Sequence, residues 1–112
     1  MEAKTVRIKP LSNNDMWQGR RFKTPEYKQY EQDLLWLLPN LDLKDGKPKG
    51  LKIDVGFSNN ASDLSNILKP FEDVLCKKYG LNDKWNYRII LNKTLVPKGQ
   101  EYIQFRIEDL IV

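Results

Sequence analysis

Apolar residues recur along the 112-residue chain with two different periods. Leu51, Ile53, Val55 and Phe57 alternate with Lys52, Asp54 and Gly56, the two-residue period of a strand with one buried face. Leu64, Ile67, Leu68, Phe71, Val74 and Leu75 are spaced three and four apart, which predicts an amphipathic helix over 63–79 closed by Gly80 as its C-terminal cap. A first helix is predicted from Thr24-Pro25, with Thr as N-cap and Pro in the first helical position. Its apolar side is Tyr27, Tyr30, Leu34, Leu37 and Leu38, and Pro39 stops it. Residues 5–9 alternate as a short first strand, and two closing strands, 85–96 and 101–107, are joined by Pro97-Lys98-Gly99-Gln100.

The order strand, helix, strand, helix, strand, strand predicts an α+β fold, a mixed sheet with two helices packed on it. Residues 1–112 make one domain, with no length for a second. Short final strands leave a sheet edge that a dimer can cover. Residues 11–24 read as a long polar loop, with Trp17 and Phe22 set among Asn, Gly and Arg; such loops in compact domains are usually functional or mobile. Residues 40–50 form a polar connection around the Asp45-Gly46 turn signal.

Composition narrows the chemistry. The chain has no histidine and one cysteine, Cys76, which excludes an imidazole base, a Ser–His or Cys–His nucleophile pair and a His- or Cys-rich zinc site. Hydrolysis by such a chain requires carboxylates, either as base or as ligands of a hard cation. The longest apolar run, residues 34–38, is far short of the roughly 20 residues of a membrane span. The N-terminus leads straight into a strand pattern, so no signal peptide and a reducing cytoplasmic location are expected.

Charge adds a partner. The net charge is +4, and residues 1–28 hold the whole excess, seven Lys or Arg against three acids. A localised basic segment suits a polyanion such as nucleic acid, and it also suits a merely solubilising surface.

The polar side of the second predicted helix carries Asp63, Asn66, Lys69 and Asp73 on one stripe, with Ser65 beside it. Taken alone, Asp63 reads as an N-cap and Asp73 with Lys77 as an i,i+4 pair. Pro70 lies on the stripe and marks either a kink after Lys69 or an irregular first turn.

The run Asp63-Leu64-Ser65-Asn66-Ile67-Leu68-Lys69, then Asp73, then Gly80-Leu81-Asn82-Asp83, resembles the signature of RusA-type Holliday junction resolvases. Pro10-Leu11-Ser12-Asn13-Asn14 resembles the family's stretch after the first strand, and Lys98-Gly99 its turn before the last. The likeness covers most of the chain in the same order. It implies that Asp63 and Asp83 are catalytic, metal-binding carboxylates and that Lys69 takes part in catalysis. Ser65 stands where the family has a second aspartate, and Asn82 where it has the first acid of a later pair. Ser65 and Asn66 are left as neutral oxygen ligands, and Asp54 on the polar face of its strand is either a further carboxylate or a plain solvated residue.

The implied function is Mg²⁺-dependent resolution of four-way DNA junctions in recombination and repair, leaving 5′-phosphate and 3′-hydroxyl ends. Mn²⁺ is the expected substitute, and no small-molecule cofactor or membrane is involved. Asn13, Asn14, Arg20, Arg21 and Lys23 are the expected DNA contacts. Trp17 or Phe22 either stacks on an open base or anchors its loop on the core. A junction has near two-fold symmetry, so paired cuts call for a homodimer. The setting implied is the cytoplasm of a bacterial or phage-infected cell. The alternatives are a RusA-like protein that binds branched DNA without cutting it, Ser65 marking a decayed site, and a basic domain that binds protein partners.

Overall fold

The fold is organised by one nine-residue strand, β4 (Lys49–Phe57), in a computed structural model that describes residues 1–111. Its alternation is realised as expected: Leu51, Ile53, Val55 and Phe57 are buried, whereas Lys52 is exposed. The remaining strands are β1 (Lys4–Val6), β2 (Trp17–Gln18), β3 (Phe22–Lys23), β5 (Asn86–Leu95) and β6 (Tyr102–Asp109), and the helices are α1 (Pro25–Leu37) and α2 (Leu68–Tyr79). The main sheet runs β1-β6-β4-β5, with β4 parallel to β5 and antiparallel to β6. The protein is thus a mixed α+β fold, two helices on a four-stranded mixed sheet.

The parallel pair requires a crossover, because a hairpin reverses direction, and α2 supplies it. Consecutive strands β5 and β6 are accordingly not neighbours. Their connection passes the end of β4, where the Val96 amide donates to the Phe57 carbonyl at 2.8 Å.

Both helices pack on one face of the sheet. Phe71, Val74 and Leu75 of α2 and Tyr27, Tyr30 and Leu34 of α1 meet Ile53, Ile103 and Phe105 in a single core. Phe71 and Phe105 lie edge to face, their centroids 5.7 Å apart. On the opposite face Gly56 leaves room for the ring of Tyr102, and a Cβ there would collide with that ring.

Several local expectations are corrected. The first strand pairs over only Lys4–Val6. Residues 11–24 are not plain loop: a 3-10 turn spans Asn13–Asp15, and β2 and β3 form a small antiparallel ribbon turning at Gly19, whose φ is +67°. Leu37 is 42% exposed because the buried stripe of α1 continues instead through Leu38, where extended backbone turns the side chain inward. The expected helix over 63–79 divides into a 3-10 turn (Leu64–Ile67) and α2. Pro70 therefore falls in the first turn of α2, where an α-helix leaves its N–H groups unbonded anyway, so the second of its two readings holds and no kink is needed. Gly80 takes the left-handed conformation expected of the cap.

Three lysines tie the helices and the ribbon together. Lys23 and Lys77 both reach the Glu31 carboxylate, at 3.0 and 2.9 Å, and Lys78 donates to the Leu35 carbonyl. Lys77 therefore does not pair with Asp73 as its spacing suggested; Asp73 is taken by Lys69.

Candidate functional site

The segment after β4 leaves the C-terminal end of the sheet and crosses to α2. Lys93 of β5 fixes it by donating to the carbonyls of Asn60 and Ser62, at 3.0 and 2.7 Å. Asp63 follows, at the N-cap position of the 3-10 turn, yet its side chain caps nothing. The structural role expected of a helix-opening aspartate is therefore not the one it plays. Instead Asp63 and Asn66 border a groove of about 760 Å³, with Asn14 and Asp15 opposite and Lys9 and Lys98 also on its walls. Asn14 is brought there by the turn that Ser12 caps, its hydroxyl accepting from the Asn14 amide at 3.2 Å. Asn13 on the same turn is exposed and outside the groove lining.

Farther along the same polar stripe, Lys69 Nζ sits 2.9 Å from Asp73 and 3.9 Å from Asp83. The hydrogen bond to Asp73, aided by the charges of Asp73, Asp83 and Glu72 and opposed by burial, raises the Lys69 pKa. Asp83 is positioned by Asn82, whose side chain caps the turn at Asp83–Trp85 by accepting from the Lys84 amide. The Asn82 amide in turn donates to Asp45. Glu72 lies beneath this corner, buried and hydrogen-bonded by Asn86 at 2.8 Å. Burial first, then the charges of Asp83 and Asp73, push its carboxyl upward against the Asn86 hydrogen bond and the Lys69 charge.

The fold thus brings Lys69, Asp73 and Asp83 together, and it brings Asp63 together with Asn66 and Asn14. About 11 Å of axial rise separates Asp63 from Lys69, one 3-10 turn and the start of a helix. Asp63 borders the groove and Asp83 does not, and among the described residues no group of three or more acidic or cysteine side chains is placed to hold a metal ion. Ser65 is exposed beside the stripe. Asp54 stands on the far face of the sheet, held by Asn92 at 2.9 Å, because β-alternation turns it away from the helices.

Of the expected DNA contacts, Arg20 and Arg21 are exposed at the ribbon tip. Lys23 is committed: it binds Glu31 and lies 5.3 Å over the Tyr27 ring. Trp17 packs edge-on against Tyr27, 6.0 Å between centroids, whereas Phe22 is 72% exposed.

Sequence reading missed Lys93, Lys9, Asp15, Glu72 and Glu101. Glu101 borders the groove and accepts from the Ser58 hydroxyl and the Gly99 amide, both at 2.7 Å, which hold its carboxyl below the usual range. The one signal available was topological and reached only Lys93, near the C-terminal end of the parallel strand β5, where ligand crevices form.

The donor chemistry fits a hard cation bound in the sparse manner of Mg²⁺, by one or two carboxylates with the remaining positions left to water and phosphate oxygens. Asp63 and Asp15 are groove carboxylates whose side chains make no hydrogen bond or ion pair among the described residues, and Asn66 is a neutral oxygen donor on the same lining. No helix among the described residues is long and apolar enough to cross a membrane. The chain matches no protein-family model, and comparison with curated proteins yields no match.

Proposed function

We propose that this chain is a RusA-type, Mg²⁺-dependent endodeoxyribonuclease that resolves four-way DNA junctions by paired phosphodiester hydrolysis, in recombination and repair. The observation that carries the reading is the meeting of Lys69 with Asp83, two residues that the resemblance names from separate segments. The 12–14 turn sharing a groove with Asp63 adds to it.

In this reading Asp63 holds the ion with Asn66, and Asp83 contributes through the Lys69 corner. Such an ion supplies charge neutralisation of the scissile phosphate and acidifies water. The protein's own groups do the rest. Lys9 and Lys98 draw the phosphodiester backbone along the groove, and the side-chain amide of Asn14 hydrogen-bonds sugar or phosphate. Lys69, released from one of its two carboxylates, donates to a non-bridging phosphate oxygen as negative charge grows there. Asp73 and Asp83 keep Lys69 protonated, since their charges favour the ammonium form. The enzyme acts as a homodimer matching the two-fold of the junction, with Mn²⁺ able to replace Mg²⁺ and no small-molecule cofactor. It works in the cytoplasm of a bacterial or phage-infected cell.

The exposed Ser65 and the neutralising Lys69 favour one second reading, a protein that binds branched DNA without cutting it. A cleavage assay on synthetic four-way junctions decides between them. The first reading expects symmetric paired nicks that need Mg²⁺ and vanish in Asp63→Asn and Asp83→Asn, with junction affinity kept. Junction binding without cleavage in Mg²⁺ or Mn²⁺, restored by Ser65→Asp, establishes the second. No preference for a junction over linear duplex at matched salt refutes both.

A further inference from the structure

The ribbon β2–β3 has an anchored base and a free tip. At its base Met16 is buried, its carbonyl accepts from the Thr24 amide at 2.9 Å, Trp17 rests on Tyr27, and Lys23 is pinned to Glu31. Four attachments are a great deal of support for two strands of two residues each. At the tip, by contrast, Gly19 turns the chain in the left-handed region, and the side chains of Arg20, Arg21 and Phe22 project with no hydrogen bond or ion pair among the described residues. Phe22 opposes Gln18 across the ribbon, and it leaves 72% of its surface in water. Of the two ribbon aromatics, Trp17 sets one edge against Tyr27 and stays 47% exposed, whereas Phe22 is the more exposed and stacks on no other ring.

We infer that the β2–β3 ribbon is a rigid finger that places Phe22 against an unstacked base at a DNA branch point, with Arg20 and Arg21 on the flanking phosphates. This rests on the junction-binding reading above and adds to it a specific contact. A lone aromatic side chain flanked by two guanidiniums and no acid is complementary to a partner that is both polyanionic and able to offer an aromatic face. A nucleobase released from its stack, beside its own phosphates, is both. An intact duplex offers the phosphates but keeps its base faces covered. The finger therefore discriminates branched from linear DNA, a task that phosphate contacts alone cannot perform. A lipid surface is the poorer match, since interfacial binding scales with buried apolar area and the ribbon offers only Phe22 and the half-exposed Trp17.

The test uses the full chain and a four-way junction carrying 2-aminopurine at the branch point, without divalent metal. Phe22 is mostly exposed, so Phe22→Ala is expected to fold normally, with circular dichroism as the check. The expected result is an affinity loss of about 10-fold for the junction, with little change for linear duplex. The 2-aminopurine response of the wild-type protein disappears, and Phe22→Trp restores both. The slope of log affinity against log salt stays the same in Phe22→Ala, whereas Arg20→Ala lowers its magnitude by about 1. Wild-type junction binding that Phe22→Ala leaves within about 2-fold, with the fluorescence response intact, overturns the finger and spares the junction-binding reading. Failure of the wild type to bind the junction refutes both together. Phe22-dependent binding to anionic phospholipid vesicles, without the fluorescence response, also overturns the inference.

Discussion

Replacing Glu31 by Gln perturbs the point where the ribbon, α1 and α2 are joined. The carboxylate is 15% exposed and accepts from Lys23 at 3.0 Å and Lys77 at 2.9 Å. A hydrogen bond to a charged group contributes roughly 1.5–3 kcal/mol when well buried. Lys77 is 57% exposed and Lys23 34%, so solvent screening brings the pair nearer to about 1.5 kcal/mol. Gln keeps one acceptor oxygen and loses the charge, so the expected cost is about 1 kcal/mol, or a fall in Tm of about 4 °C. Burial works against the ionised form, but the hydrogen bonds from Lys77 and Lys23 outweigh it and hold the Glu31 carboxyl below its usual value. A carboxyl with a depressed folded pKa stabilises fully above its unfolded value, here near 4.5, and that stability is lost as pH falls through the folded pKa. Urea titrations of both proteins across pH should therefore show a gap at neutral pH that closes in acid and narrows at high salt. A gap under about 0.3 kcal/mol at neutral pH, or one that persists near pH 2, refutes the reasoning.

Three further outcomes follow from single contacts. Gly56→Ala drives a Cβ into the Tyr102 ring and should cost about 1–3 kcal/mol in urea denaturation, with much of the loss recovered on adding Tyr102→Leu. Gly80→Ala forces a side chain onto a φ of 66° and should cost about 1 kcal/mol by the same measurement. Lys69→Met removes an ammonium that is 56% exposed, so stability should move by less than about 0.5 kcal/mol while junction cleavage is lost; retained cleavage would remove Lys69 from the proposed chemistry.

The elements of this protein were legible in its sequence wherever the cause was local. The Thr24-Pro25 start, the Gly80 stop and the alternation of β4 each depend on residues within a turn or two of one another. The class of fold followed from their order, because a strand, helix, strand unit with two amphipathic helices has few ways to bury its apolar faces. Where the sequence left a choice or misled, the cause was local: Pro70 offered a kink or an irregular first turn and the structure takes the second, and Leu38 rather than Leu37 reaches the core because the chain leaves the helix there.

What tertiary structure alone decided is which charges are free and which are spent. Arg21 and Lys23 are two residues apart in the sequence, yet Arg21 is exposed at a tip whereas Lys23 is held by a glutamate on α1. Asp73 was as well spaced for Lys77 as for Lys69, and only the packing of α1 against α2, which gives Lys77 to Glu31, settled the choice. The corner of Lys69 and Asp83 and the tie from Lys93 to the loop before Asp63 likewise join segments that no periodicity relates. A side chain's local pattern sets the direction in which it points; the charge that meets it there is set by chain topology.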